Sequence, residues 1–515
     1  MEGLVSLGRS LAAFLHWWPI VLTLGSTLVG MLIGATPGLS ATLGIALLTT
    51  LTIKMPPNDA ILVLIGAYIG AIYGGSRTAI LLNIPGTAAN AAACLDGYAL
   101  ARQGQAGRAM GIATTGSVTG SLFGIVCLAL FTPLLGEVAL SFGAFEFFWL
   151  AVLGVMMSGQ VTGEDALKGW IMGFLGLFVT LIGQDGIHAH YRFTFGIADL
   201  GGGFSLIPVL VGVFGFAEAL TAMKEPIARA AITTFDSVLP RFRDVLVYWR
   251  TVLRSGVIGV YVGILPGVGE DMAAWSSYAA ARRASKEPEK FGKGSVEGLI
   301  AAETGDNASI PGAIIPALAL AIPGSAPAAV LLAAMIIHGV RPGPLLMVEQ
   351  PQFVYDVVAM CVLATLGMLF FGLCLIRPML LVLRVPRAVI MPIIFVLCVV
   401  GSYAITQRMF DVWTMLGFGV AGFFLRQLGY HMAPFVLGVV LGDILDKSLR
   451  RGLVLSDGSL EPFFTRPICL VLWLIIAASI LWQIPPFKTA AGRATAVLGR
   501  LVRSAKGQPD KAANS

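Results

Sequence analysis

The feature that most constrains this chain is its series of apolar stretches, each long enough to cross a bilayer. A spanning helix needs roughly 20 apolar residues. Charged residues make up only 12% of the 515 residues, and the mean hydropathy is +0.85. A soluble domain usually has about 25% charged residues, so lipid is the expected solvent. We predict an all-α, polytopic integral membrane protein with roughly 11 to 13 membrane segments. The clearest stretches are Leu11–Ile33, Ala113–Leu135, Phe353–Ile376, Ile390–Ile405 and Pro467–Ile484.

The basic residues lie in short loops between these stretches. Under the positive-inside rule, this location predicts that these loops lie in the cytoplasm. The formal charge of +6 therefore does not indicate nucleic-acid binding. The six cysteines form no C-x-x-C pair, which predicts buried thiols and no disulfide or metal framework. The loops that we place in the cytoplasm contain Arg241, Arg243, Arg250, Arg254, Arg282, Arg283, Lys286, Lys290, Lys293, Arg377, Arg384 and Arg387.

Two helix-breaking motifs each occur twice. One has two glycines four residues apart, followed by Pro-Gly, and the other reads Ile-Pro-Gly-[Ser/Thr]-Ala. A broken helix frees backbone N–H and C=O groups, which cost several kcal/mol each in lipid unless protein or a water-filled cavity satisfies them. The first motif is Gly30, Gly34, Pro37 and Gly38, then Gly259, Gly263, Pro266 and Gly267; the second is 84–88, then 322–326.

The shared order of these motifs predicts an internal duplication. We expect one transmembrane transport domain, residues 1–485, with repeat one at about 20–220 and repeat two at about 250–450, in inverted topology. Duplicated broken helices are typical of transporter binding sites, so we predict that both Ile-Pro-Gly segments line one central cavity. In the alternative interpretation, the glycines only allow close helix packing and Pro-Gly only kinks the helices.

A re-entrant hairpin is predicted in the second repeat. Arg250 and Arg254 precede the segment Ser255–Ala281, and further arginines follow it. Both flanks are assigned to the cytoplasm, and the segment is too short for two full spans of about 20 residues each. Two half-helices with Pro266–Asp271 at the tip fit better than the remaining alternative, a single broken helix.

The C-terminal tail, residues 486–515, is polar and basic. Its arginines fall near one helical face, with apolar residues offset from them. This pattern is typical of a segment on the membrane surface or of a solvated tail.

Several of these motifs resemble the large subunit of tripartite tricarboxylate transporters, the TctA family. The combination of YGGS, NIPGT about ten residues later and then DGY is specific. The resemblance covers nearly the whole chain. The matching segments are Pro37-Gly38-Leu39, Tyr68–Ala109, Arg192–Gly196, Lys290–Gly298, Ala321–Leu346 and Ala433–Leu453.

The resemblance implies a multi-pass permease of the bacterial inner membrane. Its substrates would be small organic dicarboxylates or tricarboxylates. Its partners would be a small four-helix membrane subunit (TctB-like) and a periplasmic substrate-binding protein (TctC-like). A Na⁺ or H⁺ gradient would drive uptake, with no other cofactor and no enzymatic activity. The chain has no Walker-type phosphate loop, in line with transport without an ATPase.

The chain departs from the family pattern at two places in the second repeat. Glu270-Asp271 follows P-G-x-G where the family usually has small residues. The segment 303–308 reads ETGDNA where the family usually has EAANNA. Both departures leave the transporter prediction intact and argue against citrate as the substrate.

Organic anions in a membrane need positive potential, which helix N-termini supply together with free N–H donors. A Pro-Gly break followed by Ser or Thr starts a new half-helix and adds a hydroxyl donor. We expect direct contacts from Asn83, Thr87, Asn307 and Ser325. The full set of predicted substrate and ion residues is Pro37, Gly38, Ser40, Arg77, Asn83, Pro85, Gly86, Thr87, Pro266, Gly267, Gly269, Glu270, Asp271, Glu303, Asp306, Asn307, Pro323, Gly324 and Ser325.

Three of the charged residues have competing interpretations. Arg77 either clamps a carboxylate or extends to a membrane interface. Glu270 and Asp271 hold the coupling cation, shift selectivity toward a less charged substrate, or cap the second half-helix.

Two other functions compete with the transporter prediction. The segment Gly267–Asp271 resembles the GxGD motif of intramembrane aspartyl proteases, and Tyr355-Asp356 resembles their YD motif. The spacing differs by one residue, however, and the two motifs occur in reverse order. A passive anion channel is the second rival, which would not need a binding protein.

Overall fold

The computed structural model describes residues 2–161, 165–185, 189–224, 242–375 and 387–481. Nearly all regular structure in these ranges is helical. One short antiparallel strand pair, Gly183–Gln184 with Tyr191–Arg192, interrupts it. The prediction of an all-α chain is confirmed. The predicted basic tail lies outside the described residues.

The described residues up to 224 form ten α-helices of very different lengths. Short 3₁₀ and π segments connect some of them. The helices are α1 (Glu2–Phe14), α2 (Trp17–Ala35), α3 (Ala41–Thr52), α4 (Pro57–Leu82), α5 (Ala91–Ala93), α6 (Ala106–Ala139), α7 (Ala144–Val161), α8 (Ala166–Thr180), α9 (Leu206–Leu210) and α10 (Ala217–Lys224). The short segments are Ala88–Asn90, Cys94–Tyr98, Ala101–Gln105, Ala198–Gly202 and Val211–Phe216.

The second part, from residue 242, is also helical, with one 3₁₀ turn at Pro288–Lys290. Its helices are α11 (Phe242–Val247), α12 (Trp249–Ile264), α13 (Gly269–Ala284), α14 (Val296–Leu320), α15 (Ala326–Ile337), α16 (Leu346–Glu349), α17 (Pro351–Cys374), α18 (Arg387–Thr406), α19 (Met409–Gln427), α20 (Met432–Leu455), α21 (Glu461–Thr465) and α22 (Pro467–Leu481).

Seven helices within the described ranges are long and apolar enough to cross a membrane. They confirm the prediction of a polytopic membrane protein, whereas the total of 11 to 13 segments stays a prediction. The seven are Trp17–Ala35, Pro57–Leu82, Ala101–Ala139, Leu206–Lys224, Pro351–Cys374, Val389–Thr406 and Met409–Gln427. Shorter apolar helices occur at Ala41–Thr52, Ala144–Met157, Ala166–Thr180, Ala326–Ile337 and Pro467–Leu481.

Helix α6 shows how the outer surface suits lipid. Its apolar residues Leu122, Val126, Leu130 and Leu134 recur every fourth position and are all exposed. This spacing places them on one face of the helix. In water such an apolar stripe would be a liability, and in a membrane it faces the acyl chains.

The first glycine motif packs α2 tightly against α4. A methyl group added at Gly30 or Gly34 would overlap with the backbone carbonyl of Ala67 or Ala71, respectively. Only glycine permits this approach. Beyond the break, Ser40 caps α3 by accepting a hydrogen bond from the N–H of Leu43 at 3.1 Å.

The second glycine motif makes the same contact between α12 and α14. A methyl group at Gly259 or Gly263 would overlap with the backbone carbonyl of Gly305 or come within 2.5 Å of that of Ser309. Residues 265–268 then interrupt the helix before α13 begins. The chain is therefore broken here as predicted, while the re-entrant course of the hairpin stays a prediction.

The Ile-Pro-Gly segments also match in detail. Helix α4 ends at Asn83 and α14 ends at Ala321, both with left-handed backbone (φ 55° and 57°). Each following isoleucine donates its N–H back into the helix, from Ile84 to Thr78 O at 3.4 Å and from Ile322 to Pro316 O at 3.2 Å. The two turns therefore have one backbone design.

Within each half, the two motifs touch. A methyl group at Gly86 would overlap with the carbonyl of Gly34, and one at Gly324 would overlap with that of Gly263. Between the halves, α6 packs on α12 and α14, while α17 packs on α2 and α4. These matched contacts accord with a duplication; the bounds of the repeats and their inverted topology stay predictions.

Candidate functional site

A cavity of about 750 Å³ lies where the broken helices of both halves meet. Its walls come from the N-terminal ends of α3, α13 and α15, from the segment after the first Ile-Pro-Gly motif, and from α19 and the start of α20. Six of the predicted site residues line it: Ser40, Thr87, Gly267, Gly269, Glu270 and Asp271.

Three helix N-termini open onto this cavity. Ala41 and Thr42 of α3, Gly269 of α13 and Ala326 of α15 all line the wall. Each helix spans 12 residues or more. A helix N-terminus carries about half a positive charge and presents unpaired N–H groups. Together the three ends supply the positive potential that an anionic ligand needs.

An arginine and a glutamate from other helices complete one wall. Glu218 accepts hydrogen bonds from the backbone N–H and the hydroxyl of Ser40, at 3.1 and 2.7 Å. Its other oxygen accepts from Nη2 of Arg426 at 3.2 Å. The same Nη2 donates to Val213 O at 3.3 Å. Arg426 is the one Arg or Lys that lines the cavity in the described part of the chain, and its Nη1 makes no hydrogen bond there.

Glu270 and Asp271 differ in their surroundings. The carboxylate of Glu270 is buried and accepts a hydrogen bond from the hydroxyl of Tyr68. That hydroxyl lies 2.8 Å from Oγ of Ser325, which also accepts from the N–H of Ala328 at 3.3 Å and so caps α15. Asp271 is exposed on the cavity wall. The two acids therefore place a buried anchor and a free carboxylate side by side.

A buried polar network leads from the cavity into the protein through Asn90. The hydroxyl of Thr87 donates to Oδ1 of Asn90 at 2.6 Å. Nδ2 of Asn90 donates to Ile72 O at 2.9 Å, to Oγ of Ser76 at 3.0 Å and to Oδ2 of Asp306 at 3.3 Å. Residues from both halves of the chain thus share one network.

The network ends at Glu303. Its Oε2 accepts hydrogen bonds from the hydroxyls of Ser76 at 2.9 Å and Ser117 at 2.8 Å. Within the described ranges its Oε1 has no hydrogen-bond partner, and neither have Oδ1 of Asp306 and Oδ1 of Asn307. Among the described residues, no three His, Cys, Asp or Glu side chains are grouped so that they could hold a metal ion.

The family model of the tripartite tricarboxylate transporter TctA family matches residues 20–437. The chain belongs to the TctA family. The resemblance found in the sequence is thereby confirmed, and the protein is a multi-pass membrane subunit of a transporter that works with other subunits.

Two proteins of Agrobacterium vitis are similar to this TctA-family chain. One, named for the TAR-I ttuC′ 3′ region, is a 52.8 kDa protein that is 35% identical over 460 residues, which cover 89% of this chain and 92% of that protein. The other, named for the TAR-II ttuC′ 3′ region, is 33% identical over 232 residues, covering 45% of this chain and 96% of that protein. No solved structure matches the chain.

Other predicted site residues of this TctA-family chain lie behind the cavity wall. Pro37 and Gly38 form the first break, where Gly38 has a φ of 91°. The pairs Pro85-Gly86 and Pro323-Gly324 form the turns that hold the hydroxyl caps in place. Asn307 is buried in α14 and donates to Glu303 O at 3.0 Å.

Asn83 and Arg77 are placed elsewhere. Asn83 caps α4 and is exposed. Arg77 is buried and donates to the hydroxyl of Tyr73 and, at 2.6 Å, to Gly372 O. In the described structure it does not reach the cavity wall, and its role as a carboxylate clamp stays a prediction.

Sequence reasoning missed three residues that build this site: Tyr68, Asn90 and Arg426. Two of them had a usable signal. Asn90 follows Thr87 by three residues, the spacing of a capping box, and its Oδ1 accepts a hydrogen bond from the backbone N–H of Thr87 at 3.3 Å. Arg426 ends an uncharged run of 14 residues, 412–425, and a charge beside such a run is commonly functional.

Proposed function

We propose that this chain is the permease subunit of a binding-protein-dependent secondary transporter for small organic carboxylates. The substrate passes through the cavity between the two halves, and a Na⁺ or H⁺ gradient drives its uptake. The observation that carries this proposal is the convergence of three helix N-termini and Arg426 on one cavity of about 750 Å³. Ligand cavities are commonly about 300–1,000 Å³.

The charges of the wall favour a substrate with few carboxylates. Arg426 shares its charge with Glu218, and its unbonded Nη1 leaves room for one further carboxylate oxygen. Asp271 and Glu270 add negative charge across the cavity. Like charges in a site of low dielectric repel by several kcal/mol at short range. We therefore propose dicarboxylates as better substrates than tricarboxylates such as citrate.

Membership of the TctA family supports our proposal for the partners and the membrane. A periplasmic binding protein delivers the carboxylate, a small four-helix subunit completes the membrane complex, and both lie at the bacterial inner membrane. The short basic loops support placing the helix ends that adjoin them in the cytoplasm. For example, Arg282 and Arg283 close α13.

Uptake of labelled carboxylates tests this proposal. The chain is co-expressed with its two partner subunits in bacteria that lack their own carboxylate uptake. We expect saturable accumulation that needs the binding protein and stops when ionophores collapse the Na⁺ or H⁺ gradient. A passive channel would equilibrate the substrate without accumulation, and flux of that kind would overturn the proposal.

A pair of arginine variants tests the cavity itself. Arg426→Gln removes a charge-assisted contact, worth about 1.5–3 kcal/mol, so the KM should rise about tenfold or more. The matched control is Arg466→Gln, because Arg466 also pairs with a glutamate, Glu146, at 2.9 Å but does not line the cavity. Equal KM values for both variants would contradict the assignment of the substrate to this cavity.

A further inference from the structure

Three buried acceptor oxygens on one face of α14 have no donor in the part of the chain that the structure describes. They are Oε1 of Glu303, Oδ1 of Asp306 and Oδ1 of Asn307. Each of these residues is at most 1% exposed. Positions i, i+3 and i+4 are neighbours on a helix surface, so the three side chains share one face.

A fourth oxygen lies on the same turn. Pro311 has no N–H, so the backbone carbonyl of Asn307, four residues earlier, receives no helical hydrogen bond. Helix α14 includes this proline without ending. Unwound or freed carbonyls are the groups with which broken helices of secondary transporters hold cations.

All of these unpaired groups are hydrogen-bond acceptors, so the ligand that would satisfy them must be a donor or a cation. An unsatisfied buried polar group costs about 1–3 kcal/mol, and more if it is charged. Another acceptor would add repulsion. A positively charged ion or a proton satisfies several of them at once.

The electrostatic surroundings favour a single positive charge. The charged and titratable groups that face Glu303 are Arg77, Tyr73 and Cys94, and those that face Asp306 are Glu303, Glu270, Asp271 and Tyr68. Acids outnumber the one cation in this set. No three His, Cys, Asp or Glu side chains of the described residues are grouped so that they could hold a metal ion, and Arg77 already offsets part of the negative charge at Glu303, so a monovalent ion fits better than a divalent metal.

We propose that the coupling cation, Na⁺ or H⁺, binds at Asp306, Glu303 and Asn307. This inference rests on the proposed transport function and names the ion site within it. Asn90 connects the site to the substrate cavity, because it bonds both Asp306 and the cavity residue Thr87. Occupancy of the ion site therefore acts on the cavity wall through one side chain.

Asp306 is the most informative residue to substitute. In the family pattern this position usually carries Asn, so Asp306→Asn is expected to fold. The variant removes one negative charge at nearly unchanged volume. Glu303→Gln is a second, independent variant. Asp443→Asn is the matched control, because Asp443 is exposed and pairs only with Lys447, at 2.8 Å, in the described structure.

The measurement is thermal unfolding of the purified full chain in detergent, with Na⁺ titrated against K⁺ at constant ionic strength. A cation that binds only the folded state stabilises it by RT ln(1 + c/Kd), where c is the cation concentration, so the Tm rises with the cation concentration relative to its Kd. We expect Na⁺ to raise the Tm of the wild type and the Asp443→Asn control. Asp306→Asn and Glu303→Gln should each weaken this effect by about tenfold or more in Na⁺ concentration, the loss expected for one charged ligand.

A parallel pH titration separates the two ions. If Na⁺ has no effect but the Tm of the wild type follows a pH transition that Asp306→Asn removes, the ion is a proton. If both variants respond to Na⁺ and pH like the wild type, the proposal is overturned. Gradient-driven uptake that keeps its wild-type ion dependence in both variants would also overturn it, while leaving the proposed transport function standing. Na⁺ binding without any uptake would instead contradict the transport function.

Discussion

Asp96 joins the two halves of the chain, and its removal is the perturbation that we work out in most detail. One carboxylate oxygen accepts three backbone hydrogen bonds, from Gly292 at 2.8 Å, Gly294 at 2.9 Å and Ser295 at 2.8 Å. The other accepts from the hydroxyl of Tyr278 at 2.9 Å. The residue thus fixes the loop that precedes α14 and, with it, the start of the helix that carries Glu303 and Asp306.

The cost of Asp96→Ala can be estimated group by group. Gly292 is exposed, so water replaces its lost partner, whereas the N–H of Ser295 stays buried and unpaired. A buried unpaired donor costs about 1–3 kcal/mol, and each lost charge-assisted bond is worth about 1.5–3 kcal/mol, not additively. We expect a total loss of about 3–4 kcal/mol for Asp96→Ala. Asp96→Asn keeps an acceptor oxygen and should cost about half as much.

The assay is thermal unfolding of the purified chain in detergent, together with the amount of folded protein recovered from membranes. We expect the order Asp96→Ala, Asp96→Asn and Tyr278→Phe from most to least destabilised, the last costing about 1 kcal/mol. Asp443→Asn serves as the surface control. If the Tm of Asp96→Ala is within error of the Tm of that control, the connection between the halves does not depend on Asp96 and the reasoning is refuted.

Two further predictions concern helix packing and the cavity charge. Gly34→Ala should cost several kcal/mol of stability because its methyl group would overlap with the backbone of α4. A methyl group at Gly25 in the same helix meets nothing within 4 Å, so Gly25→Ala should be neutral or stabilising by up to about 1 kcal/mol. The amount of recovered folded protein and the Tm measure both effects. Asp271→Asn removes negative charge from the cavity wall and should lower the KM for a tricarboxylate about tenfold, while Glu270→Gln, which is buried against Tyr68, should alter the transport rate more than the preference. Uptake of competing carboxylates over a range of Na⁺ and pH measures the second pair, and unchanged kinetics in both variants would leave these acids only a helix-capping role.

The helical class and the positions of the breaks could be predicted from the sequence because they depend on local composition. The apolar stretches define the solvent, and Pro266-Gly267 removes a helical hydrogen bond and interrupts its helix, although α14 continues through a second Pro-Gly pair at Pro311-Gly312. The left-handed end at Ala321 could not be predicted, because alanine rarely adopts a positive φ and only the packing of the following turn requires it.

For the charged groups of the site, too, local motifs could be predicted from the sequence and tertiary contacts could not. The sequence left Arg77 as either a carboxylate ligand or a residue that extends to an interface. Tertiary packing directs this side chain to Tyr73 and places Arg426, distant in sequence, on the cavity wall. Likewise the contact between Tyr68 and Glu270 joins residues 202 positions apart. Helix propensity and motif spacing contain no information about such pairs, so the candidate site could be predicted only where a local motif supplied it, as at Thr87.

The central claim is that the broken helices of both halves form one substrate cavity, and cysteine accessibility tests it most directly. In a background without native cysteines, Ala88→Cys and Ala326→Cys place one thiol from each half of the chain on the cavity wall, and Asp443→Cys places one on an exposed site elsewhere. We predict that a membrane-impermeant maleimide labels all three, and that the transported carboxylate protects the first two and leaves the third unchanged. Labelling at residues 88 and 326 that the substrate does not affect, or no labelling at either while residue 443 reacts, would contradict the claim.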